Sequence, residues 1–357
     1  MFKTFFLYSI VISLLFLSSC ETKINLNTDY ETTPIVFGLL DHADSIHYIK
    51  ITKTFLGNGN NYEYAQIPDS SYFRNVNAKI IELFDGEVTG REWILKDSII
   101  KTKAAGIFYN EEQKVYVFYA NDLKQDHEYK LEADLNEGEL KIDATTNLID
   151  GFTYNLFGMD KLNLAALNAS TNDNYKIVKI FYKEALNAQR YQTYFNITIR
   201  ETYLDGSSKD KVLTWSAPLY NGLSDNDIDP LNPSQQNQVI SFSGEGFYIF
   251  LQSELEIDEN VMKREFVKAD LVTDVGHLDL VRYMSTSDPS SSLSQTTPLF
   301  TNINGGLGLF SSRHKGQVKD LGMISSSVEE LCIGQYTNLL KFCSNLPEHH
   351  DKLFYCD

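Results

Sequence analysis

The stretch Glu128–Leu135 constrains this chain most. Tyr129, Leu131, Ala133 and Leu135 alternate there with Glu128, Lys130, Glu132 and Asp134. A repeat of two places every apolar side chain on one face of an extended strand and every charge on the other. Such a strand must lay its apolar face on a core and pair its backbone with neighbours. The chain is therefore committed to a sheet with one solvated side.

Other segments read the same way. Pro34–Leu40 is a short apolar run, and residues 47–55 alternate with Ile49, Ile51 and Phe55 on one side. Residues 77–84, 91–95 and 114–119 read as further strands. Asp85-Gly86 turns the first of these into the second. Asn136-Glu137-Gly138 returns 128–135 to a partner over 139–145, and Gly57-Asn58-Gly59-Asn60-Asn61 is a loop. Strands at this spacing predict an immunoglobulin-like β-sandwich over 34–148. The pattern breaks near 147–153 and resumes at 175–182. Residues 190–203 then alternate, with Phe195, Ile197 and Ile199 on one face, and Leu204-Asp205-Gly206 turns them toward 211–215. One helix is predicted over 245–255, where Phe247, Phe250, Leu251 and Leu255 share a face. Residues 266–272 read as a strand, and 278–284 fit either state. With 21 Tyr and 22 Phe against 8 Pro, composition favours strands throughout. The expected fold class is all-β, mainly β with one or two short helices. It comprises two β-sandwich-like domains, the second over 149–313, and a C-terminal segment over 314–357.

The beginning of the chain is different. Lys3 precedes a run from Phe5 to Leu17 of almost unbroken Phe, Leu, Ile, Val and Tyr, which ends Leu17-Ser18-Ser19-Cys20. That run has the length of a signal-peptide core and falls short of the roughly 20 apolar residues that span a bilayer. Leu-Ser-Ser-Cys resembles the lipobox of bacterial lipoproteins. The resemblance implies cleavage after residue 19 and a diacylglycerol thioether on Cys20, with a further acyl chain on its amine. At about 0.8 kcal/mol per buried CH2, two or three chains anchor a protein stably. Residues 1–19 are thus expected to be a lipoprotein signal peptide and 20–33 a polar tether, with the membrane engaged through the N-terminal lipid.

The formal charge is −17, with acidic residues spread along the chain. Such a body does not attract nucleic acid or anionic headgroups, so neither is expected as a partner. Three further cysteines, Cys332, Cys343 and Cys356, fall in the last 26 residues. In an oxidising compartment they suggest a disulfide staple, written as Cys332–Cys343, with Cys356 left over or pairing in place of one of them.

No pattern of catalytic or metal-binding residues emerges. Asp225-Asn226-Asp227-Ile228-Asp229 resembles the start of a calcium loop, but Pro230 and Gln236 stand where an EF-hand needs Gly and Glu. A solvated acidic loop is the expectation. The histidines lack metalloprotease spacing, and His349-His350-Asp351 reads as an exposed tail. Gly305-Gly306-Leu307-Gly308 lacks the Lys-Ser/Thr of a phosphate loop and reads as a turn. No catalytic residue, metal site or cofactor is expected, and the chain is read as non-enzymatic.

Several segments carry a family resemblance. These are Pro34–Leu40, Ile49-Lys50-Ile51-Thr52-Lys53-Thr54-Phe55, Asn77-Ala78-Lys79-Ile80, and Pro298-Leu299-Phe300-Thr301-Asn302-Ile303-Asn304-Gly305-Gly306-Leu307-Gly308-Leu309-Phe310. Together they resemble a group of Bacteroidota outer-membrane lipoproteins classed as a domain of unknown function. The resemblance implies an N-terminal sandwich, a second β-domain and an accessory role beside a TonB-dependent receptor. It supplies no catalytic residues. The expected location is the outer membrane, and Glu21-Thr22-Lys23 departs from the acidic surface-export signal of that phylum, leaving the periplasmic face and the cell surface both open. The expected function is a non-enzymatic binding or assembly partner of an outer-membrane protein. The alternatives are a glycan-binding or glycan-processing lipoprotein, suggested by the aromatics, and an anchoring subunit of a surface fibre.

Overall fold

The computed structural model describes residues 31–56, 60–101, 112–155, 159–166, 174–222, 237–287 and 299–356. The signal segment, Cys20, most of the tether, the Gly57–Gly59 loop tip and the 225–229 acidic loop lie outside them.

The chain is mainly β, as expected. Its first half contains β1 (Pro34–Leu40), β2 (Ile46–Lys53), β3 (Val76–Phe84), β4 (Glu87–Ile94), β5 (Lys96–Ile100), β6 (Gln113–Tyr119), β7 (Glu128–Leu135) and β8 (Leu140–Asn147). The second half adds β9 (Thr153–Asn155), β10 (Lys161–Leu162), β11 (Ile177–Lys183), β12 (Ala188–Tyr203), β13 (Ser208–Ser216), β14 (Tyr220–Asn221), β15 (Asn237–Ser243), β16 (Val261–His277) and β17 (Leu307–Met323).

Among the described residues there are five short helices where one or two were expected: α1 (Asn61–Ala65), α2 (Pro68–Ser71), α3 (Gly244–Glu254), α4 (Leu278–Ser287) and α5 (Ser325–Ile333). The first two are too short to carry a helical repeat. In α5 three consecutive serines hide an apolar face made by Val328, Leu331 and Cys332.

The strands form three sheets. One runs β4-β3-β7-β8, a second β15-β11-β9, and the largest β13-β12-β16-β17-β1-β2-β6-β5, with β10 and β14 attached to it. Alternation in Glu128–Leu135 does what the sequence predicts, with Tyr129, Leu131, Ala133 and Leu135 buried. Two of the predicted turns, in the first half, use left-handed backbone. Asp85 and Gly86 turn β3 into β4, and Asn136, Glu137 and Gly138 turn β7 into β8, all with positive φ.

Two cores result. The first lies between β4-β3-β7-β8 and the β1-β2-β6-β5 end of the large sheet, joining Val36, Ile49, Ile51 and Phe118 to Ile80, Tyr129 and Leu131. It draws on residues up to Leu148, with Ile303 and Phe310 added from far along the chain. The second begins at Ile149 and packs β12, β13 and β16 against β11, β15, α3 and α5. β17 serves both: its Phe310 belongs to the first core, its Leu321 and Met323 to the second. Residue 313, expected to end the second domain, lies inside this strand. β1 pairs with β17 in parallel, Ile35 opposite Leu307 and Leu40 opposite Ser312.

Candidate functional site

Where β1 ends, its parallel neighbour β17 continues. That offset brings Asp41 and His42, just past Leu40, against His314 and Lys315, two and three residues beyond the last paired Ser312. Asp41 is 4% exposed. Its Oδ1 accepts the backbone N–H of Ala43 at 3.0 Å and His314 Nδ1–H at 3.0 Å, and its Oδ2 accepts the N–H of Lys315 at 3.2 Å. His42 stacks on His314 with ring centroids 4.5 Å apart and 19° between planes. The far nitrogen of His42, Nε2, lies 2.6 Å from the side-chain amide of Gln125. Phe152 closes the other side, its ring 5.7 Å from that of His314.

Burial works against charge on Asp41, but hydrogen bonds from His314 and from the Ala43 N–H outweigh it and hold the carboxyl below its ordinary range. Burial, and then the neighbouring His314, push His42 below the ordinary imidazole value. Two imidazoles and a carboxylate converge here, a donor set suited to a metal ion or to proton transfer. The side-chain hydrogen-bond partners of the two rings are Gln125 for His42 and Asp41 for His314. Sequence reasoning missed the cluster because Asp41 and His314 are 273 residues apart.

A second histidine departs from expectation. His349 is 3% exposed rather than displayed in a tail. One ring nitrogen, Nδ1, lies 2.7 Å from Ser344 Oγ, and the other, Nε2, 2.6 Å from Ser325 Oγ at the start of α5. The third group in a nucleophile–base arrangement is here a hydroxyl rather than a carboxylate. The three residues bind the C-terminal segment to α5.

The cysteine pairing is also corrected. Cys343 bonds Cys356, with Cα atoms 5.1 Å apart, and Cys332 is free. The reason is local. Ser344 and Tyr355 form a parallel bridge that brings the last residues back beside Cys343, whereas Cys332 points from α5 into the second core. Burial, reinforced by Glu329, pushes its thiol up to about 12, which leaves it unreactive. Of the Gly305–Gly308 segment, Gly305 and Gly306 turn the chain as expected, while Leu307 and Gly308 already belong to strand β17.

The aromatics divide clearly. Tyr129, Tyr182, Tyr191 and Tyr248 are core residues, Trp215 is buried, and the Arg91 guanidinium covers Trp93 at 4.9 Å. An apolar strip is open on the large sheet. Phe37, Ile46, Tyr48 and Tyr119 are exposed, and the register of β1, β2 and β6 puts them on the same face, opposite the first core. No helix among the described residues is long and apolar enough to cross a membrane. No protein-family model matches this chain, and no curated protein matches it in sequence.

Proposed function

We propose that this protein is a lipid-anchored outer-membrane lipoprotein of the Bacteroidota type, whose folded body is a non-enzymatic binding or assembly partner of another envelope protein. The observation that carries the reading is the apolar run ending in Leu17-Ser18-Ser19-Cys20, ahead of a β-rich body. Acylation of Cys20 would hold that body at the membrane, where a partner is met in two dimensions rather than three. The open strip of Phe37, Ile46, Tyr48 and Tyr119 supports a protein partner, since a cluster of exposed apolar side chains on one sheet face suits docking. An outer-membrane receptor of the TonB-dependent class is the partner to test first. The glycan alternative draws on aromatic content, and Tyr129, Tyr182, Tyr191, Tyr248 and Trp215 are committed to the cores.

Two measurements test the reading. Cys20→Ser should abolish palmitate labelling and release the body from the membrane fraction; labelling that persists rules out the lipid anchor. Gentle detergent extraction and pull-down should yield a stoichiometric membrane protein. Tyr48→Arg with Tyr119→Arg should abolish its recovery while leaving the fold intact. Repeated recovery of the protein alone rules out the partner.

A further inference from the structure

We propose that Asp41, His42 and His314 form a binding site for a divalent late transition metal of the zinc class, which pins the end of β1 to β17 where the two cores meet. The donor atoms are already gathered. Asp41 Oδ1 lies 3.0 Å from His314 Nδ1 and 3.6 Å from His42 Nδ1, and one donor atom from each residue falls within 4.8 Å of the other two. A tetrahedral zinc ion with ordinary Zn–N and Zn–O bonds separates its donors by about 3.3–3.5 Å. The two aspartate–histidine distances bracket that spacing. The remaining adjustment falls on His42, which leaves its stack on His314 and turns toward the carboxylate. It is free to do so, because it sits in the turn after β1 with its side chain 23% exposed.

The surroundings suit a metal better than they suit an ion pair alone. A simple Asp–His pair needs only His314, and the second imidazole is then superfluous. Gln125 lies against the outer nitrogen of His42. Its side-chain nitrogen donates to His42 Nε2, which places the ring proton on Nδ1; when an ion binds at Nδ1 that proton moves to Nε2 and the Gln125 amide turns over to accept it through its carbonyl oxygen. Asp41 keeps two backbone donors, Ala43 N–H and Lys315 N–H, that orient the carboxylate independently of His314. Asp44 and Asp150 add negative potential around His42. When the ion binds, His314 gives up its Nδ1–H hydrogen bond to Asp41 and coordinates through Nδ1 with its ring proton on Nε2. Two imidazoles with one carboxylate select zinc, cobalt, nickel or copper over calcium and magnesium, which want oxygen alone. Three protein donors leave one position for water.

The proposal is independent of the lipid anchor and fails separately from it. The experiment is a Co2+ titration of the full mature chain, purified in detergent without a histidine tag and stripped of metal. The expected result is one equivalent of Co2+ with the visible bands of a tetrahedral N2O site, displaced by one equivalent of Zn2+. His42→Ala should weaken Zn2+ binding by at least about 100-fold, more than the loss of an outer partner such as Gln125 in Gln125→Ala. Because His42 sits in a turn with its side chain partly exposed, that variant tests the site with little threat to the fold, and His314→Ala is the second check. Zinc should also raise the melting temperature of the wild type and not of His42→Ala. Absence of stoichiometric binding, or binding of equal strength in both histidine variants, overturns the assignment.

Discussion

The two cores bury charge in different ways. In the first, Glu82 is fully buried; Arg91 Nη1 at 3.0 Å and Thr89 Oγ1 at 2.8 Å reach it from the next strand of the same hairpin, and Tyr129 OH at 3.3 Å from the strand on the other side. Arg91 itself reaches solvent and a second carboxylate, Asp122, at 2.7 Å. In the second core both the cation and its carboxylate are buried. Arg264 donates to Glu201 Oε1 at 2.8 Å, to the carbonyl of Leu340 at 2.8 Å and to that of Glu256 at 3.0 Å. Those partners come from β12, from the C-terminal segment and from the turn before β16. A local buried charge stabilises one hairpin, whereas Arg264 fastens three separated pieces of chain. The first core is thus assembled largely from neighbouring strands, and the second depends on single long-range ties.

The strongest way to break this contrast is to strike the strand both cores share. Gly308 in β17 has φ +108°, and a Cβ there meets the backbone carbonyl of Val36 in β1. Gly308→Ala combines backbone strain with overpacking, each costing up to about 3 kcal/mol, so a loss of about 5 kcal/mol is expected. Urea denaturation should show both halves destabilised together, and protection of β7 amides surviving the loss of β16 would show that the cores are independent. Next in size is Arg264→Ala, which strands buried Glu201 and two carbonyls at a cost of about 4 kcal/mol. Arg91→Ala should cost less, because Thr89 Oγ1 and Tyr129 OH still donate to Glu82. Equal losses in the two variants would erase the distinction drawn above.

The same contrast explains what the sequence shows. Elements built from local rules were legible: β7 from its alternation, the β3–β4 and β7–β8 turns from Asp85-Gly86 and Asn136-Glu137-Gly138, and α3 from Phe247, Leu251 and Leu255. β17, the joint of the molecule, was not. Of its residues only Leu307 and Gly308 fall in a segment read from the sequence, as a turn, and residues 308–312 are buried one after another, which leaves no alternation there to detect. Its parallel pairing with β1 joins opposite ends of the described chain, and no local signal encodes it. The Asp41–His42–His314 cluster inherits that obscurity, since it exists only once β1 and β17 lie side by side. The disulfide was legible as a C-terminal staple but not in its pairing, which the Ser344–Tyr355 bridge decides.

That staple gives the next prediction. Cys343 and Cys356 close a loop with a sequence separation of 13, and opening a loop of this size costs about 3 kcal/mol on the chain-entropy account. Cys356→Ser should therefore destabilise the second core by that amount, somewhat less than Arg264→Ala, with hydrogen exchange rising at the C-terminal segment first. Cys332→Ala, in contrast, only trims a buried thiol. If reducing agent leaves the wild-type melting temperature unchanged, the bond contributes nothing and the tie rests on Arg264 and His349 alone.

The smallest effect separates the cores by pH. His47 lies in the first core, nearly inaccessible, with Nε2–H donating to the carbonyl of Ala120 at 3.0 Å and its ring stacked 4.6 Å from Phe118. Burial pushes its imidazole below the ordinary value, and the hydrogen bond to Ala120 and the charges of Asp44 and Asp41 offset this only in part. The unfolded chain then takes up a proton near pH 6.5 that the folded chain resists. Stability from the neutral ring is therefore complete above about pH 6.5 and is lost as the pH falls through the depressed folded value. Urea midpoints should decline from about pH 7.5 to about pH 5, and His47→Phe should flatten that decline while keeping the stack on Phe118. In amide exchange the loss of protection should begin in β2 and β6 while β12 and β16 hold. A decline of equal slope in the variant would place the acid sensitivity elsewhere, and simultaneous loss from both sets of strands would mean that β17 couples the cores more tightly than their separate packing implies.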